Sequence, residues 1–584
     1  MGTINSSESN FIFHLKEALN SNDKIIIPLI ILVSWLTNYL LIQGYGLYYD
    51  DWPAIADHTK MKMWENTNGP LGWLEIWPHG RPVGWFFLSL LGSPGRESGE
   101  LTDLYLVGFV IVSTIAVLIY LITKKKFGVL AGALTSILFL TSPVDTTRIE
   151  VTLNYIAHTG FIFTLLAIWL YQRQRKLLAY IISVFSLLSY ESTFLPFVAA
   201  PLLTHSIYSK KTWKEQMLHG IICLLIIMAI SAIRYWVFDR GFSIHQGQQD
   251  RNTLLALFIG LENYSIHFFN FFLFGIKQGF QNLSALSATI GLIVSTPLLF
   301  LIYHLRETDI DKSKKILELF VVGCTLLVLG LATSGIAEYS PVGEPFGGRN
   351  TRVFVSATFG GSVMICAMIL LCFHAADKYK ITPAAYALML TILFGVSSNA
   401  LKIQNDYVEA WDIQKHMFRA AIELSCDASL GDSIILLPQE PAWDKGRAIL
   451  PYGFGLSTGI ADTFDWGDTE LSKIPTLMKA HKDWYKHLEL RDDGKLHWKK
   501  LKRSGFYSLA MAPVSQQSII YLKGTKRGLV RVNEPIFIDG VNIIKPEPSK
   551  PANNDCLFRE RALTGPLAPF LYPDYIAFDK TLRP

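Results

Sequence analysis

Long apolar runs recur along the first four hundred residues of this chain, separated by short charged connections. A helix that crosses a bilayer needs about 20 mostly apolar residues, within a range of roughly 17–25. Runs that meet or approach that length are Ile25–Ile42, Leu104–Thr123, Phe127–Leu140, Ala157–Tyr171, Leu177–Tyr190, Leu195–Ile207, Gln216–Phe238, Ser284–Leu305, Ile316–Ser334, Val353–His374 and Ile381–Ala400. They predict about eleven spans, the fifth and sixth short and joined by a tight turn at Glu191–Phe194. Glu17, Asp23 and Lys24 precede the first run and no small-residue cleavage site follows it. It therefore reads as an uncleaved helix rather than a signal peptide.

Composition agrees. Only 17% of the 584 residues are charged, against about 25% in soluble domains, and roughly half of those charges lie after Leu401. An aromatic content of 13%, no glycine periodicity and six cysteines exclude disorder, a collagen-like chain and a disulfide scaffold. A formal net charge of +5 is too small to indicate nucleic-acid binding. No Walker, Rossmann or CxxC metal pattern is present.

Basic residues orient membrane helices, gathering on the cytoplasmic side. Alternate connections carry Lys124–Lys126; Arg173, Arg175 and Lys176; Lys210, Lys211 and Lys214; Arg306, Lys312, Lys314 and Lys315; and Lys378 with Lys380. With the spans above, all five clusters lie on one side. The N-terminus is then cytoplasmic in a multi-pass plasma (inner) membrane protein, with the long first loop 43–103 outside. Within the loops, Val83–Leu91 and Leu254–Phe280 read as helices lying in the interface. Composition changes abruptly after Ala400, which divides a membrane module, 1–400, from a soluble extracytoplasmic α+β domain, 401–584. Ser433–Leu437 and Ser518–Leu522 read as buried strands of that domain. Cys426 and Cys556 lie outside the predicted spans and could pair in an oxidising exterior.

Several external motifs place ionisable residues at membrane ends, where burying a charge is expensive. Tyr48-Tyr49-Asp50-Asp51 follows the first span, and His79-Gly80-Arg81 comes later in the same loop. Asp145, Arg148 and Glu150 follow the third span, an ion pair being as good an explanation there as a site. Glu191 sits between the short spans, where helix capping is the alternative role. Gly347-Gly348-Arg349-Asn350-Thr351-Arg352 opens the tenth span, a Gly-rich turn with two arginines suited to phosphate, or to anchoring in the interface.

In order and shared sidedness these motifs resemble the GT-C superfamily of polyprenyl-phosphate-sugar-dependent glycosyltransferases. The layout is like that of protein mannosyltransferases and aminoarabinose transferases. The family's Asp-Glu after the first span appears here as Asp50-Asp51, and "LLSYESTFLPF" matches its turn between short spans. Its Arg-Tyr before a late span appears as Arg349 or Arg352, without the Tyr. The resemblance implies a polytopic α-helical fold and a lipid-linked donor. It assigns Asp50, or Asp51, as catalytic base; Arg349, Arg352 and Arg81 to the donor phosphate; and Glu191, His79, Tyr49 and Arg148 to orienting the reactants. Elementary chemistry is compatible with this. A phosphate leaving group needs no general acid, so one base on the acceptor hydroxyl suffices, and in-line attack inverts the anomeric centre. No cofactor is required; a Mg or Mn ion bridging Asp50 and Asp51 to the phosphate is compatible with the carboxylate pair. The partners implied are a polyprenyl-phosphate sugar, membrane lipid, and a glycan, lipid or protein acceptor. The competing readings are a lipid-linked glycan polymerase or ligase, which would not need Asp50, and a flippase or transporter, which would usually show internal repeats.

Overall fold

The computed structural model describes residues 23–48, 51, 81–98, 101–238, 253–309, 313–336, 348–427, 433–437, 476–479, 488–490, 495–498, 514–515, 519–525, 528–538 and 540–545. Tyr49, Asp50 and His79 lie outside them. The chain is a polytopic α-helical membrane protein with a β-containing C-terminal region. Its helices are α1 (Asp23–Gly44), α2 (Pro82–Ser98), α3 (Leu101–Phe127), α4 (Val129–Thr141), α5 (Val151–Gln172), α6 (Lys176–Ser189) and α7 (Ala200–Thr204). There follow α8 (Lys210–Phe238), α9 (Thr253–Gln281), α10 (Ala285–Asp309), α11 (Ser313–Ile336), α12 (Ala357–Lys378) and α13 (Thr382–Glu423).

Eight described helices are long and apolar enough to cross a membrane: α1, α3, α5, α8, α10, α11, α12 and α13. Each coincides with one of the predicted spans. Of the other three, α4 and α6 are apolar helices of 13 and 14 residues. The sixth, Leu195–Ile207, is broken into a 3-10 turn, Leu195–Ala199, and the five-residue α7. Pro201 accounts for the break: it has no N–H to continue the Leu195–Ala199 turn and instead sits in the first turn of α7. The compositional change at Ala400 falls inside α13, which continues unbroken to Glu423.

The chain divides into two compact units. The first comprises 1–42, 68–91 and 105–405. One end of it is pinned by the first basic cluster. Lys124 pairs with Asp23, and Lys125 donates to the Gln172 carbonyl at the end of α5. Lys126 donates to the Leu202 and His205 carbonyls and forms a 2.8 Å ion pair with Glu318 near the start of α11. Lys176 and Tyr171 bind Glu215 of α8 at 2.5 and 2.7 Å. Since lipid offers no partner for polar groups, these lysines satisfy helix-terminal carbonyls and carboxylates internally. This is the basic end.

Helix α9 is absent from the eight because Glu262, Asn263, His267 and Asn270 interrupt its apolar run. Tyr264, Phe268 and Phe271 stack edgewise on Phe354, Gly275 lies against Pro143, and Gly279 against the backbone of Gly395. These contacts bury one face of α9, which includes Tyr264, Phe268, Phe271 and Phe272.

The second unit comprises 43–67, 92–104 and 406–584. In it β1 (Ser433–Leu437) lies parallel between β2 (Thr476–Lys479) and β6 (Ile519–Thr525), with β7 (Gly528–Arg531) antiparallel to β6. The strands β3 (Leu488–Leu490), β4 (Lys495–Trp498) and β5 (Val514–Ser515) form a separate antiparallel sheet. The turn that follows α13 is fastened to β7 by Arg531, which donates to both carboxylate oxygens of Asp427, at 2.5 and 3.0 Å, and to the Leu424 carbonyl. Cys426, beside it, is disulfide-bonded; the four cysteines at 223, 324, 366 and 372 are free. Cys556 lies outside the described residues.

Candidate functional site

The end of the first unit opposite the lysines is built on a connection of unusual polarity. Ser142–Glu150 links α4 to α5 and is buried throughout, although it holds Asp145, Arg148 and Glu150. Asp145 organises it. One carboxylate oxygen accepts from the Thr147 amide and hydroxyl, at 3.0 and 2.6 Å. The other lies 3.0 Å from Nε2 of His158 and 3.7 Å from Nε of Arg148. Burial pushes the Asp145 carboxyl upward, but His158, Arg148 and the Thr147 donors outweigh it, and its pKa falls below the ordinary value. Burial also lowers Arg148, with Asp145 opposing.

Arg148 is 1% exposed. Its guanidinium donates through Nη1 to the Leu140 carbonyl at 2.8 Å and lies 4.4 Å from the centre of the Phe139 ring. Its Nε and Nη2 make no hydrogen bond. Two π-helical turns meet beside it. Trp35–Tyr39 in α1 supplies Tyr39, whose hydroxyl donates to the Arg148 carbonyl at 2.8 Å. Asn154–His158 in α5 supplies Asn154, which donates to that same carbonyl and to the Tyr39 hydroxyl. A π turn inserts an extra residue into a helix and re-aims the side chains beyond it, and such turns concentrate at functional sites. Arg148, which the resemblance assigns to orienting a reactant, is buried and bonded within the connection that carries it.

Two further predicted residues meet directly. Arg81, just before α2, donates from Nε to Glu191 Oε2 at 2.8 Å, and its guanidinium lies 4.4 Å over the Tyr190 ring. The two side chains stay partly open, 26% and 21% exposed. Two features hold them. Gly84 lets α2 approach closely, since a Cβ there would sit 2.9 Å from the Ser189 carbonyl oxygen. The turn bearing Glu191 is anchored by a buried hydroxyl cluster, in which Ser186 lies 2.7 Å from Thr164 and 2.9 Å from Thr193.

The arginine-bearing turn Gly348–Phe354 is a 3-10 segment joined to both of these groups. Thr351 Oγ1 accepts from the Thr146 amide at 3.1 Å, and Ser356 Oγ donates to the Ser192 carbonyl at 3.0 Å. Arg352 is half-buried and Arg349 is described by its backbone alone. The Arg81–Glu191 pair, the Gly348–Phe354 turn and the Asp145–Arg148–His158 cluster thus form one connected end of the first unit. His158 and the threonine and serine links were not anticipated. The signal for His158 was present as an ionisable residue inside a predicted span.

Asp51 belongs to the second unit and is 1% exposed. Its Oδ2 accepts from the Tyr48 amide at 3.1 Å, while its own amide donates to the Tyr48 carbonyl at 2.8 Å. The Tyr48 hydroxyl in turn donates to the Tyr407 carbonyl at 2.8 Å and accepts from the Gly46 amide. The acidic pair therefore closes a buried turn through Asp51. Among the described residues no group of three His, Cys, Asp or Glu side chains could hold a metal ion, and a metal at this turn would need Asp50.

No family model and no curated protein matches the chain. Among solved structures, it is similar to a crystal structure of ArnT from Cupriavidus metallidurans in the apo state. The two are 11% identical over 76% of this chain and 85% of that one, with a TM-score of 0.29.

Proposed function

We propose that this chain is a GT-C-type membrane glycosyltransferase that moves a sugar from a polyprenyl phosphate to an acceptor hydroxyl on the extracytoplasmic face. The observation that carries the reading is the connected end of the first unit. A partly exposed Arg81–Glu191 pair and a Gly-rich turn with Arg349 and Arg352 are held there by a buried polar scaffold. Cationic groups fixed in advance of the reaction are what a departing phosphate needs. The acceptor oxygen attacks the anomeric carbon, the bond from that carbon to the phosphate oxygen breaks, and the configuration inverts. The acceptor proton passes to a carboxylate. We assign that base to Asp50, since Asp51 already accepts a backbone amide within its turn. Arg349, Arg352 and Arg81 would take up the phosphate charge, while Glu191, Tyr49 and His79 orient the reactants. The disulfide at Cys426 supports an oxidising, extracytoplasmic setting for the second unit.

The test is transfer by the purified chain, reconstituted with a panel of polyprenyl-phosphate sugars and a cell-envelope glycan or lipid acceptor fraction. Asp50→Asn should abolish transfer with unchanged insertion and folding. Normal transfer by that variant removes the base assignment, and favours a polymerase or ligase that works through external Arg and His. No turnover by the unaltered chain with any such donor removes the enzyme class. Lipid-linked glycan crossing the bilayer under those conditions would identify a flippase.

A further inference from the structure

We propose that the corner of the basic end where α5 turns into α6 and α8 begins is a binding site for an anionic glycerophospholipid. The occupant is a structural lipid, separate from any donor, and the assignment does not depend on glycosyl transfer. The structure brings two basic clusters together there although they are far apart in sequence. Glu215 of α8 binds Lys176 of the α5–α6 turn at 2.5 Å and lies 3.4 Å from His205. That carboxylate is thereby occupied. Arg173, Arg175, Lys210, Lys211 and Lys214 around it are all exposed, and none pairs with a carboxylate among the described residues.

Electrostatics makes this arrangement costly without an anion. Lys210, Lys211 and Lys214 occupy the first turns of α8, at the positive end of its dipole, where acidic residues normally stabilise and cations do not. The α5–α6 turn adds two arginines held rigidly. The Arg175 amide donates to the Leu170 carbonyl and the Gln174 amide to the Tyr171 carbonyl, which is the hydrogen-bond pattern of a Schellman cap. Its left-handed position is filled by Gln174, at φ 63°, rather than by glycine. The Arg173 guanidinium carbon lies over the Trp169 ring, 3.8 Å from its centre.

Beneath the charges is a bed for acyl chains. Helix α8 touches the bundle through polar contacts of its first turns: Thr212 donates to the Ser206 carbonyl, Gln216 to the Val198 carbonyl, and His219 lies 2.9 Å from the Phe197 carbonyl. From Leu224 to Ile233 no residue of α8 is buried, and only 11% of its apolar window is covered. Trp213 and Tyr208, both more than half exposed, mark the interfacial level between charge and apolar surface. A phosphate diester with two acyl chains matches all three layers. Basic pockets between membrane helices recognise such headgroups.

Native mass spectrometry of the full chain, released from nanodiscs of mixed phosphatidylglycerol and phosphatidylcholine, tests this. The expected result is retained phosphatidylglycerol adducts. The K210Q/K211Q/K214Q variant should hold them about a hundredfold more weakly, from about fivefold per lysine near a membrane surface. K378Q/K380Q, which removes two charges elsewhere on the basic side, should retain them. If the triple variant does not fold, R173Q/R175Q on the exposed turn replaces it, with an expected loss of about 25-fold by the same scaling. Equal retention of phosphatidylcholine, or adducts unaffected by substitutions at this corner, overturns the proposal.

Discussion

Asp145 shows how a single buried carboxylate can hold one end of a helical unit together. It is fully buried between Arg148 and His158, and removing it leaves a buried cation without its counter-charge. Asp145→Ala should therefore destabilise the protein by about 3–5 kcal/mol, read as the loss of thermal unfolding temperature in detergent. Its pH dependence has a definite sign. The folded carboxyl is depressed relative to its ordinary value, so its contribution is complete above the unfolded carboxylate range and disappears as pH falls through the folded value. Acid should thus lower the unfolding temperature more steeply in the unaltered protein than in Asp145→Asn. The acidic pair divides differently. Asp51→Ala should cost about 1 kcal/mol through the lost bond to the Tyr48 amide, whereas Asp50→Asn should change transfer alone. From sequence Asp51 is a close alternative to Asp50 as base, because nothing in the residue order shows that its carboxylate accepts the Tyr48 amide.

At the scale of elements, helices with strong apolar signals were legible and irregular ones were not. Length and hydropathy identified all eight long helices. They did not reveal that Leu195–Ile207 breaks, although Pro201 was in view, nor that α1 and α5 each contain a π turn. A π turn has no composition of its own; it is selected by packing, here around Tyr39, Asn154 and Arg148. The turns at the basic end invite a stability test. Gln174 and Lys380 both adopt left-handed backbone, at φ 63° and 59°, which costs an L-residue roughly 1–2 kcal/mol. Gln174→Gly should recover about 1 kcal/mol of that, net of the extra freedom glycine gives the unfolded chain, and raise the unfolding temperature. The buried Lys126–Glu318 pair should behave oppositely. Removing either partner alone should cost about 3–5 kcal/mol, and replacing both with apolar residues should remain destabilising because the Leu202 and His205 carbonyls and the Ile207 amide lose their partners.

For the molecule as a whole, the basic clusters carried the most information, because sidedness is a global property written in local charge. The structure gives three lysines from two of these clusters a second role. Lys124, Lys126 and Lys176 are bound to Asp23, Glu318 and Glu215, joining helices far apart in sequence. The partners could not be foreseen, since an acidic residue near a span end has several candidate lysines and only packing selects one. Topology itself is open to a direct test. With the first two clusters cytoplasmic, a membrane-impermeant amine reagent applied to intact cells should leave Lys210 and Lys211 unmodified and label them after permeabilisation; labelling before it would reverse the orientation.

The Lys126–Glu318 pair also has a consequence for how the protein is made. At ordinary elongation rates the ribosome produces Glu318 on the order of ten to forty seconds after Lys126. During that interval α3 has left the translocon while its lysine still lacks the carboxylate it will finally bind. A nascent chain is thus marked as unfinished until α11 arrives. Chains truncated before Glu318 should be short-lived, because Lys126 then lacks the counter-charge that joins α3 to α11. Lys126→Met should lengthen their lifetime in a pulse-chase experiment.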